Sequence, residues 1–143
     1  MKYLIKPFAI FWITAALILL DGFFIQNPES VTDINIHDTY YVIAHGFLAE
    51  IFALIFFILG LGYWLFYKIK RNLNPTLTLI HIIGTVGIAW LYRIVLGGLN
   101  IFKCNNLELT NSFIIVAFSI VLLVQPIFLF NLLIGIIKPR ASR

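Results

Sequence analysis

The sequence predicts an all-α integral membrane protein, a bundle of four transmembrane helices forming a single domain over residues 1–143, with both chain ends cytoplasmic. Composition, the lengths of the apolar runs and the placing of the basic residues carry this prediction. Of 143 residues, 62% are hydrophobic and only 11% charged, which is too little polar surface to cover a folded domain in water. Apolar stretches at roughly 8 to 26, 41 to 67, 76 to 99 and 112 to 137 each reach the about 20 residues that a helix needs to cross hydrocarbon. Lys2 and Lys6 precede the first stretch, Lys68, Lys70 and Arg71 lie between the second and third, and Lys138, Arg140 and Arg143 follow the fourth. Loops and ends rich in lysine and arginine stay on the cytoplasmic side. The net charge of +4 is thus a topology signal and not a nucleic-acid footprint.

The first stretch has a basic start and an apolar middle, but no small-x-small cleavage site follows, so it is expected to span the membrane and not to be a removed signal. Asp21 falls at its outer end. Asn27-Pro28-Glu29-Ser30 then ends it, because proline disfavours helical geometry in the residue before it and lacks an amide donor. A polar run from Asp33 to Tyr41 leads into the second stretch, which carries His45 and Glu50 in its outer half. With a helix starting near His37, residues His37, Tyr41 and His45 fall at intervals of four and share one face. Gly60 near the inner end permits close approach of another helix, and Tyr63 and Trp64 suit an interface.

The third stretch begins on Pro75, which is apt for a first helical turn, and holds His81, expected as a helix-packing histidine, and Arg93. In the fourth, Pro126 removes a backbone hydrogen bond, and the amides of Gln125 and Asn131 are placed to satisfy freed carbonyls. Cys104 is the sole cysteine; it lies in the second outer loop and cannot form an internal disulfide. An unpaired charge near mid-membrane costs at least about 2.5 kcal/mol. On adjacent antiparallel helices Glu50 and Arg93 differ in depth by only about 4 Å, within arginine's reach, so an intramembrane ion pair is expected, with proton relay or contact with another subunit as alternatives.

Asp33, His37, Asp38, Thr39, Tyr40, Tyr41, Val42, Ala44 and His45 match the pattern D-x-x-x-H-D-T-Y-[YF]-V-x-A-H-x-H. On these residues the chain resembles heme-copper oxidase subunit I (cytochrome c/quinol oxidase polypeptide I), and only its C-terminal four-helix part. Gly60 and Trp64, the early His81 of the next helix and the Leu96-Gly97-Gly98 exit extend the similarity. Phe47 stands where the family has its last motif histidine, and the family's copper-ligating histidines lie on earlier helices without counterpart here. The resemblance therefore implies no copper and no oxidase activity in this chain alone. It implies at most one heme, with His45 as axial ligand and Asp33 and Tyr41 beside it, and a divalent-cation site at His37 and Asp38.

A helix turns about 100° per residue, so the pattern's two final histidines aim at different hemes, and loss of one leaves the other flank intact. His81 cannot complete an iron site with His45, because the two stand roughly 15 to 20 Å apart across the bilayer. A homodimer joining two copies of His45 is an alternative. For His45 itself the other reading is a hydrogen-bonded buried histidine, and for Asp33, His37 and Asp38 a self-bonded cap and turn. The function expected is that of a small subunit of a larger, respiratory-type complex in a bacterial-type inner (plasma) membrane. Its partners are other membrane subunits and the lipid bilayer, with no nucleic acid. A cofactor-free scaffold or anchor, or one part of a split terminal oxidase, are the alternatives.

Overall fold

The computed structural model describes residues 6–25, 31–37, 39–101 and 107–137. Among them, helices at Pro7–Ile25, His45–Lys68, Pro75–Val95 and Ile115–Ile137 are long and apolar enough to cross a membrane. At about 1.5 Å per residue these 19 to 24 residues reach roughly 29 to 36 Å, the thickness of a hydrocarbon core. The four spans expected from the sequence are therefore present, with boundaries moved by a few residues. Contacts divide the chain into two compact units, Met1–Lys68 and Ile69–Arg143.

In the first unit, α1 (Pro7–Leu20) starts where Pro7 takes the first helical position, and its end widens into a π-helical turn at Asp21–Ile25. The chain then forms an antiparallel hairpin of β1 (Val31–Ile36) and β2 (Thr39–Ala44), in which Val31 stands opposite Ala44 and Ile36 opposite Thr39. β2 runs into α2 (His45–Lys68) without an intervening residue. This corrects the sequence expectation at two points. The second span starts at His45 and not near Tyr41, and His37, Tyr41 and His45 do not share a helix face. The reason lies in Thr39-Tyr-Tyr-Val-Ile43, a run of β-branched and aromatic residues that fits a pleated strand better than a helix. Only two residues join the strands, and His37 takes a φ of 52°; such short hairpin loops require this left-handed sign, and histidine tolerates it better than most side chains.

α1 and α2 meet through rings and glycines. Fully buried Phe11 lies 5.5 Å from the Tyr63 ring and 6.0 Å from that of Phe56. The Trp12 indole donates a 3.3 Å hydrogen bond to the Phe57 carbonyl and occupies the space where a Cβ on Gly60 would stand. Gly22 is buried against Ala49 in the same way, close to the His45 carbonyl. Lys6 and Lys68 sit at one end of this pair, their ammonium groups 4.4 Å from the Tyr67 ring and 4.8 Å from the Trp64 ring. Each sets its ammonium group over an aromatic face, a cation–π contact.

In the second unit, α3 (Pro75–Ile82) continues through a π-helical turn, Ile83–Gly87, into α4 (Ile88–Ile101), and packs against α5 (Leu107–Ile137). Asn74 caps α3, its side chain accepting from the Thr76 amide at 3.0 Å, and Pro75 follows at the first helical position. Arg71 donates to the Ile136 carbonyl at 3.0 Å, setting a cation at the negative end of the α5 dipole.

Candidate functional site

The residues singled out by the oxidase-like motif lie at the end of the α1–α2 pair where α2 begins. His37 is exposed at the hairpin tip, Tyr41 is exposed in β2, and His45 is half-buried in the first turn of α2. The backbone of Asp33 lies in β1 opposite Val42, and Asp38 falls outside the described residues. Among the described residues, no group of three His, Cys, Asp or Glu side chains converges in a metal-binding arrangement.

A porphyrin on His45 is shut out from the side of α1. Towards α1, Gly22 lies so close to Ala49 and to the His45 carbonyl that no planar ring fits between the helices. Phe47, which stands where the motif has its second histidine, is 58% exposed.

Deeper in the same pair, Glu50 is exposed and lines an open groove of about 380 Å³ with Ala15, Ala16, Leu19, Ala53, Leu54 and Phe57. Three alanines make its floor shallow enough for another helix to approach closely. The other side chains that line the groove are all apolar. Arg93, the expected ion-pair partner, belongs to the second unit, where it is half-buried in α4.

The second unit contains a polar seam that the sequence reading had only in fragments. Asn74, Thr78, His81 and Thr85 follow one another at four, three and four residues, which lines them along one face of α3 and its π turn. Thr78, His81, Thr85 and Asn131 are all buried, with at most 1% exposure. Asn131 grips the start of α3: its carbonyl accepts from the Asn74 amide at 2.8 Å, and its NH2 donates to Thr78 Oγ1 at 2.9 Å and to the Asn74 carbonyl at 3.4 Å. One turn and a half further in, His81 Nε2 meets Gln125 Oε1 at 3.3 Å, and the ring stacks on Phe128 at 4.9 Å. Gln125 donates on to Thr85 Oγ1 at 3.4 Å and to the Val121 carbonyl at 2.8 Å.

Gln125 therefore serves the Val121 carbonyl and not that of Leu122, which Pro126 frees, and Asn131 bonds to the start of α3, so neither amide does what its place near the proline suggested. His81 is a packing histidine held by an amide and a ring. No buried side-chain nitrogen or oxygen among the described residues lacks a hydrogen-bond partner, so the seam is complete as built. Spacing alone could have found it, because the two threonines fall on the face defined by Asn74 and His81.

No family model matches the chain, and no curated protein or solved structure does either. What the fold defines is a class, the small multi-pass helical membrane protein with four candidate spans.

Proposed function

We propose that the chain is a small integral membrane subunit that works by holding other membrane helices, with its basic end in the cytoplasm and its hairpin outside. The observation that carries this proposal is Glu50, an exposed carboxylate on a spanning helix beside a groove floored by alanines. Such a group needs a donor from another helix, because left in hydrocarbon it costs at least about 2.5 kcal/mol. Arg93 is the donor expected within the chain, and a basic or amide side chain of a partner subunit the one outside it. The grouping of Lys6 and Lys68 at one end of the α1–α2 pair supports the orientation.

The test is sizing of the native protein extracted in mild detergent. Wild type is expected to run in a particle larger than its own 16.4 kDa plus detergent, and Glu50→Leu to run as the free chain. A wild type that already runs alone overturns the subunit reading. A double-mutant cycle on Glu50→Gln and Arg93→Leu separates the two donors, since an internal pair gives a coupling of about 1 kcal/mol and an external one gives none.

A second reading keeps one heme on His45, supported by the motif and by the half-buried place of that residue at the start of α2. A bound heme would supply one-electron transfer, and the chain's part would be to hold the iron and close the α1 side against water. A Soret band in the purified protein that disappears in His45→Ala is the expected result; a colourless, folded preparation ends this reading and leaves the cofactor-free scaffold.

A further inference from the structure

The hairpin has a feature that neither the motif nor the scaffold reading uses. Tyr40, Tyr41 and Val42 are 70%, 49% and 63% exposed, and because successive strand residues point to opposite faces, apolar surface is bare on both sides of β2. Two strands alone are marginal in water. Ala44 is joined directly to His45, the first residue of α2, with no linker between strand and helix. The base of the hairpin is therefore fixed where a spanning helix begins.

The end of α1 lies at the same level, since Gly22 packs beside His45 and Ala49. Its π turn presents Phe24 at 81% exposure and Ile25 at 72%. These residues and the hairpin's tyrosines are exposed apolar and aromatic side chains on the two segments that meet the same end of the helix pair. Trp64 and Tyr67, with their lysines, lie at the opposite end. From His45 to Trp64 is 19 helical steps, or about 29 Å, which is one hydrocarbon thickness. Aromatic groups separated by that distance are the belts of a membrane protein.

We propose that the β1–β2 hairpin lies in the outer interfacial layer of the bilayer, with the Tyr40, Tyr41 and Val42 side chains among lipid headgroups and upper acyl chains. The hairpin contains Asp33 and Asp38 and no lysine or arginine, so the contact is made by aromatic and aliphatic burial and not by attraction to anionic lipid. It is then expected to be as strong in purely zwitterionic bilayers as in acidic ones, and indifferent to salt.

The test places an environment-sensitive NBD dye on Val42→Cys in a Cys104→Ser background, in phosphatidylcholine nanodiscs of the full chain. The expected result is quenching by headgroup-spin-labelled lipid at least about twofold stronger than by lipid labelled deep in the chain, with weak quenching by aqueous iodide. Val31→Cys, at the base of the same hairpin, provides a second reporter if the first variant is poorly folded. Strong iodide quenching at both positions overturns the proposal in favour of a solvated hairpin. Protection from iodide without quenching by either lipid label overturns it in favour of a protein cover. Tyr40→Ser with Tyr41→Ser is expected to raise iodide quenching at position 42 about twofold.

Discussion

The two helical pairs of this chain are joined by opposite chemistry. Between α1 and α2 the contact is ring against ring and helix against glycine, with Phe11, Trp12, Phe56 and Tyr63 filling the seam and Gly22 and Gly60 letting the backbones close. Between α3 and α5 the contact is a ladder of hydrogen bonds through Asn74, Thr78, His81, Thr85, Gln125 and Asn131. In lipid neither pair gains from hiding apolar surface, since the acyl chains are as apolar as leucine. Shape holds the first pair and polarity the second. The first should therefore be sensitive to added volume, and the second to removal of single polar atoms.

The largest effect expected is at Gly60. Gly60→Leu forces a side chain into the space of the Trp12 ring and should destabilise the chain by about 3 kcal/mol, measured by SDS titration in mixed micelles. A much smaller loss would mean that the first pair is loosely joined. Next comes Asn131→Leu, which keeps the branching of the side chain but leaves the Asn74 amide and the Thr78 hydroxyl without their interhelical partner and should cost about 2 kcal/mol. Gln125→Leu should cost about 1 kcal/mol, and adding His81→Leu should add little, because the orphaned imidazole is then removed as well. The smallest effect lies at Lys70, which follows α2 with a φ of 55°. Lys70→Gly relieves a left-handed side chain and should stabilise by about 0.5 kcal/mol, seen as a small rise in melting temperature.

The spans were legible in the sequence because hydrocarbon thickness imposes a length that few other forces do. Of the aromatic pair near the end of α2, Tyr63 and Trp64, both read as interfacial from position, but Tyr63 is buried against Phe11 between the helices. The hairpin was not legible. A polar run leading into an apolar one invites continuation of the helix, and the β-forming character of Thr39 to Ile43 is a weaker and more local signal than the length of the apolar stretch. With it went the shared face of His37, Tyr41 and His45, which needed helical geometry that the backbone does not adopt. The seam was half legible: Gln125 and Asn131 stand out in an apolar run, but Thr78 and Thr85 pass as neutral residues until they are laid along the face that Asn74 and His81 define.

Asn131 gives the order of membrane integration a physical meaning. The amide that begins α3 and the hydroxyl of Thr78 find their interhelical partner 57 and 53 residues later in the chain. A ribosome that has delivered only the third span has delivered a helix whose face is still polar and unmatched. The final span, arriving last, turns that face into an interior, so a chain stopped before residue 131 would keep its third helix in the bilayer with that polar face unmatched.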